Sequence, residues 1–417
     1  MKLMRDDARR WGAGVRWVLT LVPALLVACE AGDRPASASG PSSMADTAFA
    51  ESTAVAAHLD SAWLDTAAPA AQVLALPDSV RDFEMALPLS VAIGRGESCL
   101  IAVADPSEVA VHYFSSPNRY AGSRFVGGRR RDALSDVGHA VIAADGVTYL
   151  NELGRRRLVA VDRTRDSVRV FQSDEMTASM PRIVALEPVA PNRLIENWMA
   201  PSIPVASGTW AEEELPLLRV IDSLGNYLGG LWRIADRPGQ LLTHGLNQGV
   251  LARRGDTLWF AYAVSGQVLR GVLDTAQLPW SLRDTSRLIL PRMYEPMPPQ
   301  WFLSGAESDT IGTLGVDAQV SRLAVTEDGH LIVGQTISYP PRGNGRLHQP
   351  TSAVVVYDGA GHPVRGWRAG GRIRGLAAGG GLLAVIVDTG GDPQVRIHRM
   401  ADVVPGRAAS GPCTSEA

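Results

Sequence analysis

Residues 139–172 read HAVIAADGVTYLNELGRRRLVAVDRTRDSVRVFQ, and this stretch decides the fold. It holds two short apolar runs on either side of Asp145 and Gly146, and then two runs in which apolar and polar residues alternate. Short runs of this kind between turn residues are typical of β-strands. An Asp-Gly pair suits the tight hairpin that joins two strands. The stretch therefore predicts one antiparallel unit of three or four strands.

The same order of strands and turns recurs outward along the chain in both directions. The five further units are residues 90–127, 182–232, 248–274, 322–368 and 373–400. No segment of this region shows a sustained helical period. Antiparallel units of about four strands, repeated along a chain, build β-propellers. The sequence thus predicts an all-β domain over residues 72–405, a six-bladed β-propeller.

Closure of the ring is predicted from the two ends of this region. The last unit shows only three clear strands, and residues 72–76, QVLAL, supply an apolar run for a fourth. A closed ring avoids the unpaired strand edges of an open one. Cys99 lies in the first unit and Cys413 in the C-terminal tail, residues 406–417, so the two are candidates for a disulfide across the closure. The alternative is a buried Cys99 and a free tail.

Three phrases carry a resemblance to known propellers. AVADPSEVAVHYF (102–114), VAVDRTRDSVRVF (159–171) and VVVYDGAGHPVRGW (354–367) resemble the NHL-like and TolB-like six-bladed propellers that are common among exported bacterial proteins. The resemblance covers residues 72–405 and lies in texture rather than in an invariant motif. It implies the fold, whereas function has to be argued from a site.

The N-terminus is typical of an exported chain. A basic start is followed by the apolar run 17–28, which has the length of a signal-peptide core and is too short to span a bilayer. Leu26-Val27-Ala28-Cys29 resembles the bacterial lipobox, which implies cleavage after residue 28 and lipidation (palmitate) of Cys29. The alternative is an ordinary secretory signal with a chance cysteine. Residues 29–71, rich in Ala, Ser and Pro, are predicted to be a flexible tether. We expect a lipoprotein attached to a membrane of the bacterial cell envelope, with the choice of membrane open.

Composition limits the classes of partner. The chain carries 40 basic and 43 acidic residues, a net charge of −3. The predicted signal peptide is itself basic, so its removal makes the chain more acidic, and nucleic acid is a poor candidate partner. No lysine follows Lys2, so every later fixed positive charge is an arginine, which can bind carboxylate or phosphate with two donors. The cysteines and histidines do not show the spacing of a zinc site.

The candidate ligand-binding residues stand at or near the starts of predicted inner strands, because these positions surround the mouth of a propeller channel. They are His139, Arg182, His244, Asn247, Arg322 and Arg374. Arginine and histidine side chains that converge in a funnel attract anions such as acidic sugars, phosphates or carboxylate-bearing peptides. The alternative is that each side chain caps a strand or pairs with a nearby acid.

A metal site is the second hypothesis. Resemblance to six-bladed lactonases and related hydrolases implies calcium bound by oxygen ligands in the channel. The candidate ligands are Glu187, Asn192, Asn247 and Asp317. Glu196 and Asn197 also carry suitable oxygens, but neighbours in a strand point to opposite faces and do not readily bind one ion together.

Three insertions are candidate recognition loops. They comprise residues 201–214, 279–316 and 338–350, which are rich in proline and carry aromatic residues, Trp210, Tyr294, Trp301 and Tyr339 among them. Loops on a rigid scaffold often carry recognition, and aromatic residues are frequent at the centres of interfaces. The alternative is that Trp301 only packs its loop onto the domain.

The sequence favours a binding module over an enzyme. It has no Gly-x-Ser-x-Gly elbow, no His-Glu-x-x-His, no phosphate-binding loop and no dinucleotide fingerprint. We expect an envelope propeller without a cofactor that binds or scaffolds a protein, a peptide or an anionic glycan. The alternative is a calcium-dependent propeller hydrolase, lactonase or lyase, so the question of catalysis stays open.

Overall fold

The computed structural model of the chain describes residues 64, 68–77, 85, 88–94, 98–127, 137–152, 158–171, 183–190, 193–198, 216–222, 226–233, 249–263, 266–291, 318–337, 351–390, 393–407 and 411–414. All of them belong to the unit Met44–Ala417, and the other unit, Met1–Ser43, contains no described residue. The predicted signal peptide and Cys29 therefore lie outside the described residues.

The described strands form six antiparallel sheets of four strands each. Blade 1 contains β2 (Ser90–Ile93), β3 (Ile101–Asp105), β4 (Ala110–Ser116) and β5 (Arg119–Phe125). Blade 2 contains β6 (Ala140–Ile142), β7 (Thr148–Asn151), β8 (Leu158–Asp162) and β9 (Ser167–Phe171). Blade 3 contains β10 (Ile183–Ala190), β11 (Arg193–Trp198), β12 (Pro216–Asp222) and β13 (Tyr227–Arg233).

The second half of the chain repeats this arrangement. Blade 4 contains β14 (Gly249–Arg254), β15 (Thr257–Tyr262), β16 (Gln267–Asp274) and β17 (Ser281–Ile289). Blade 5 contains β18 (Ala318–Val325), β19 (Leu331–Ile337), β20 (Thr351–Tyr357) and β21 (Pro363–Arg368). Blade 6 contains β22 (Arg372–Gly379), β23 (Leu382–Asp388), β24 (Pro393–Arg399) and the N-terminal β1 (Gln72–Val73). A short helix, α1 (Met400–Val403), follows β24.

The first strands of the six blades form a closed ring. β2 contacts β6, β6 contacts β10, β10 contacts β14, β14 contacts β18, β18 contacts β22, and β22 contacts β2. The domain is therefore a six-bladed β-propeller, and the predicted fold class is confirmed.

Blade 6 is completed by the N-terminal strand, as the sequence predicts. Gln72 lies opposite Ile397 and Val73 opposite Arg396 in an antiparallel pair. The backbone N–H of Leu74 continues this pairing with a 2.9 Å hydrogen bond to the carbonyl of Val395. β1 thus pairs with the outer edge of β24 and completes the four strands of blade 6.

A disulfide joins the C-terminal tail to blade 1. Cys99 and Cys413 are bonded, with their Cα atoms 4.7 Å apart. The N–H of Cys413 also donates to the carbonyl of Gly380 in blade 6, at 3.1 Å. Of the two alternatives that the sequence leaves open, the structure has the disulfide, and the tail is held against both blades that meet at the closure.

Six apolar cores hold the ring together, one at each interface between neighbouring blades. Between blades 6 and 1, for example, Ile101 and Phe114 pack with Leu382 and Ile386. The middle strands are covered on both faces, which explains why β20 and β23 read as continuous apolar runs. Burial of apolar area of this kind is the main favourable term in folding.

The hairpins at the ends of the first strands use glycine where the backbone needs it. Gly146 and Gly329 have φ angles of 83° and 90°. Residues with a β-carbon rarely adopt such angles, whereas glycine does so without steric cost. The predicted Asp-Gly hairpins at these two positions are thus present.

The structure corrects the predicted insertion at residues 279–316. Ser281–Ile289 is not part of a loop but forms β17, the outer strand of blade 4, paired with β16 from Asp274 to Gln267. Most of its side chains are exposed, so it lacks the apolar alternation that marks a half-buried strand in a sequence. The connection between blades 4 and 5 is therefore residues 290–317.

Packed structure extends beyond the predicted domain boundaries on both sides. Leu64 is buried in the core between blades 4 and 5. The carbonyl of Ala70 lies 3.1 Å from Nδ1 of His398 in β24. At the other end, Cys413 is 1% exposed. Parts of the predicted tether and tail thus belong to the folded domain.

Candidate functional site

A central channel runs between the six first strands and encloses a cavity of about 110 Å³. Each blade contributes one short stretch of its first strand to the wall. These stretches are residues 90–93, 139–142, 185–188, 250–252, 322–325 and 375–378. Most of the lining is aliphatic, and its polar members are Ser90, His139, Glu187 and Arg322.

The two faces of the propeller are distinguished by the direction of the first strands. We call the face at which these strands begin the front face, marked by Ser90 and Arg372, and the opposite face the back face. Because neighbouring strands are antiparallel, the second and third strands of a blade are joined at their front-face ends, and successive blades are joined there as well. The first and second strands, and likewise the third and fourth, are joined at the back face.

The segments that join strand ends differ in length between the two faces. The longest segment that joins strand ends at the back face is residues 94–100. Strand ends at the front face are joined by much longer segments, namely residues 199–215, 234–248, 290–317 and 338–350. These segments include what remains of the three predicted recognition loops, and most of their residues lie outside the described residues.

Arg322 is the arginine that lines the channel within the described residues. Burial, together with the positive charges of Arg372 and Arg374, lowers the pKa of Arg322 to about 10. Its Nη1 donates to the carbonyl of Ser321 at 2.5 Å, and within the described ranges it forms no ion pair. A guanidinium group in this position gains from an anion that enters the channel.

His139 joins Arg322 in the wall of the channel, as predicted. Its backbone N–H donates to the side-chain oxygen of Asn151. Next to it, the N–H of Ala140 donates to Oγ of Ser90 at 3.0 Å, which ties blade 2 to blade 1. The backbone of His139 and Ala140 is therefore held by hydrogen bonds within blade 2 and to blade 1.

Arg374 differs from its predicted role. It does not line the cavity, and its Nε donates to Oδ2 of Asp388 in the neighbouring strand, at 2.8 Å. The register between β22 and β23 shifts between Ile373 and Gly375, so Arg374 is the extra residue of a β-bulge. A bulge redirects its side chain. Arg374 therefore pairs with Asp388, and its charge still acts on Arg322.

Sequence reasoning missed Arg372, which is exposed at the front face beside this cluster. Within the described part of the chain it has no ion-pair partner. The bulge at Arg374 breaks the alternation that would otherwise relate the two side chains, so no local pattern in the sequence identifies Arg372.

Several predicted site residues lie outside the described residues. Among the channel candidates these are Arg182, His244 and Asn247, and among the loop aromatics they are Trp210, Tyr294, Trp301 and Tyr339. The structure says nothing about their positions.

Of the four proposed calcium ligands, Glu187 lies within the described residues, and Asn192, Asn247 and Asp317 lie outside them. Oε1 of Glu187 lies 3.7 Å from Nε of Arg253 in blade 4. This carboxylate therefore has a cationic partner already. Across the described ranges, no three His, Cys, Asp or Glu side chains are grouped to hold a metal ion.

Glu196 and Asn197 have structural contacts that use their oxygens. Glu196 is buried with Arg219, at 3.3 Å between Oε1 and Nε, and burial raises the pKa of its carboxyl while Arg219 opposes this. Asn197 faces the other side of the strand, where its Oδ1 accepts from the N–H of Gly249 at 3.1 Å. The expectation that the two point apart agrees with these contacts.

No protein-family model matches the chain, and no curated protein matches it. No helix among the described residues is long and apolar enough to cross a membrane.

Solved structures resemble the chain in overall fold. A DUF4221 family member from Bacteroides vulgatus shares 9% identity at a TM-score of 0.47, covering 81% of this chain and 97% of its own. A gluconolactonase from Xanthomonas campestris shares 11% at 0.44, covering 83% and 94%. Regucalcin from Agrobacterium tumefaciens, a calcium-binding protein, shares 13% at 0.45, covering 79% and 94%. At these identities the likeness concerns the fold alone.

Proposed function

We propose that this propeller is a binding module of the bacterial cell envelope, which receives an anionic group of a peptide, a glycan or a protein at its front face. The observation that carries the proposal is the group formed by Arg322 and Arg372, which have no ion-pair partner in the described ranges, on the face whose strand ends are joined by the longer segments. The charge attracts the ligand, and the connections supply contact area.

The location of the module in the cell envelope, attached through a lipid, is part of the proposal. It is supported by the basic start, the apolar run and the lipobox-like sequence that ends at Cys29. Residues 68–71 enter the propeller just before β1, whose paired strand β24 ends at the back face.

Ligand binding is tested with defined anionic probes. A fluorescent peptide of consecutive glutamates and a labelled oligogalacturonate are titrated against residues 60–417, with fluorescence anisotropy as the readout. Arg322→Gln and Arg372→Gln are expected to weaken binding of at least one probe by about tenfold or more, because each removes hydrogen bonds to a charged group. Raising the salt concentration is expected to weaken binding as well.

Arg283→Gln is the matched control, since Arg283 is an exposed arginine on the outer strand of blade 4. It is expected to bind like the wild type. The proposal fails if neither probe binds, or if the channel variants and the control bind equally while all remain folded by circular dichroism.

The proposed lipid attachment and membrane location are tested separately, in a bacterium that processes lipoproteins. The full-length chain is expected in the membrane fraction, with the mass of a lipidated N-terminal peptide beginning at Cys29. Cys29→Ser is expected to abolish the lipid mass. An unmodified cysteine in a protein that stays out of the membrane fraction would refute the anchor without touching the binding site.

A further inference from the structure

The wall of the channel changes from polar to apolar between its front end and its interior. The frontmost residues of three of the six lining stretches are polar, namely Ser90, His139 and Arg322. Behind them every blade contributes leucine, valine, isoleucine or alanine, and the exceptions are Glu187 and Pro188 of blade 3. The channel therefore suits a molecule with one polar end and an apolar stem.

Arg322 leaves one edge of its guanidinium group open. Its Nη1 donates to the carbonyl of Ser321, at 2.5 Å. Nε and Nη2, which form the neighbouring edge, have no hydrogen-bond partner among the described residues. Two parallel N–H groups of this kind match the two oxygens of a carboxylate. The polar end of the ligand is therefore best matched as a carboxylate.

The interior of the channel is unsuited to a second anionic group. Glu187 is the charged residue there, and its Oε1 lies 3.7 Å from Nε of Arg253. Because Arg253 is already paired, the described part of the interior offers no free cation. A second carboxylate that entered it would lose its hydration without gaining a partner. An uncharged stem does not carry this cost.

The size of the channel limits the stem. The cavity measures about 110 Å³, whereas an apolar cavity of about 150 Å³ is known to hold a benzene ring. A lining stretch such as residues 90–93 spans about 10 Å along the channel, at about 3.3 Å for each residue. A short, unbranched aliphatic chain fits both limits better than an aromatic ring does.

We propose that the channel binds a carboxylate on a short aliphatic stem, with the carboxylate at Arg322 and the stem among the aliphatic residues behind it. The proposal rests on the front-face function proposed above and names the chemistry of its ligand. Two sources supply this chemistry. One is a free short-chain carboxylic acid, and the other is the C-terminal residue of a peptide when its side chain is aliphatic.

The test titrates the full-length chain with acetate, propionate, butyrate and valerate, measured by isothermal titration calorimetry. Each added methylene group is expected to tighten binding by about fourfold, because apolar area is buried. Arg322→Gln is expected to weaken valerate binding by about tenfold or more. Arg283→Gln, which changes an exposed arginine of blade 4, is expected to bind valerate like the wild type.

Glutarate tests the interior without any substitution. It has the length of valerate and a second carboxylate, so it is expected to bind about tenfold more weakly or worse. Binding of glutarate as tight as that of valerate would contradict an apolar site for the stem.

Ala377→Leu tests the stem separately from the carboxylate. Ala377 is half-buried and lines the channel behind its polar end. A leucine there fills part of the channel, so valerate binding is expected to weaken by about tenfold while acetate binding changes by less than about twofold. Circular dichroism checks that the variant folds. If it does not fold, the comparison of valerate with glutarate still tests the stem.

A peptide of four glycines and a C-terminal valine distinguishes the two sources. If the ligand is a peptide terminus, this peptide binds more tightly than valerate and its C-terminal amide does not bind; if it is a free acid, valerate binds and the peptide does not. Equal binding of acetate and valerate, valerate binding that survives Arg322→Gln, or no binding of either ligand would overturn the proposal. Loss of this proposal alone would leave the glutamate and oligogalacturonate probes bound at the front face, whereas failure of the front-face function would leave them unbound.

Discussion

At the scale of single residues, buried polar side chains connect neighbouring blades. Asn197 is fully buried in β11, and its Oδ1 accepts from the N–H of Gly249 in blade 4 while its Nδ2 donates to the carbonyl of Leu217, both at 3.1 Å. Because a buried N–H or C=O without a partner costs free energy, this one side chain satisfies groups that the strand ladders leave open.

Asn197→Ala is therefore expected to lower the free energy of unfolding by about 2 kcal/mol or more, since two buried backbone groups lose their partner. Urea unfolding followed by circular dichroism measures the loss. Asn226→Ala is the control, because Asn226 is exposed and bonds only to Asp222 of its own turn. Equal stability of the two variants would show that Asn197 does not connect the blades.

Two buried histidines give the stability a dependence on pH. His112 and His398 are 0% and 2% exposed, and burial lowers the pKa of both. In the unfolded chain their imidazoles titrate near the ordinary value of about 6.5. Below that pH the unfolded state takes up protons that the folded state resists, so stability is lost as the pH falls.

The double variant His112→Asn, His398→Asn is expected to lose less unfolding free energy than the wild type between pH 7.5 and 5.5. The difference is at most about 1.4 kcal/mol per histidine for each pH unit below the unfolded pKa. Urea titrations at the two pH values measure it. The same loss in both proteins would assign the acid sensitivity to carboxyl groups instead.

The candidate site shows which residues a sequence can predict. Arg322 and His139 follow from the position of the first strands, and both line the channel. The same rule predicts Arg374 as a channel residue, but Arg374 occupies a β-bulge. No local pattern in its strand predicts that bulge.

At the scale of elements, the middle strands were predictable and the outer ones were less so. Strands such as β23 are apolar throughout because neighbouring blades cover both faces. β17, SLRDTSRLI, is mostly exposed, so burial imposes no pattern on it and its sequence reads as a loop. The closing strand β1 was predicted because the last unit lacked a fourth strand, an argument from the whole ring and not from local propensity.

The closure of the ring depends on this strand and on the disulfide, which joins residues 314 positions apart. Replacing both cysteines, Cys99→Ser and Cys413→Ser, is expected to lower the free energy of unfolding by about 5–6 kcal/mol, because the unfolded chain gains conformational entropy when a loop of this length is released. Differential scanning calorimetry with and without reductant measures the change. A wild-type protein whose melting temperature is unaffected by full reduction would contradict this role.

At the scale of the whole molecule, the two faces of the propeller differ in kind. The front face has the cluster around Arg322 and the strand ends that the longer segments join, whereas the back face has short hairpins, the disulfide and the C-terminal segment packed on it. The sequence analysis predicts the insertions, but it does not predict that the strand ends on either side of them lie at one face. That follows from the antiparallel order within each blade and from the closed ring.

The most direct test of the front-face site is hydrogen–deuterium exchange of residues 60–417 with and without a saturating glutamate-rich peptide. Slower exchange is expected in peptides that contain residues 137–142 and 369–376, where the first strands begin, with no change in the back-face hairpins 143–147 and 326–330. Protection confined to those hairpins, or no protection at saturation, would contradict a binding site at the front face.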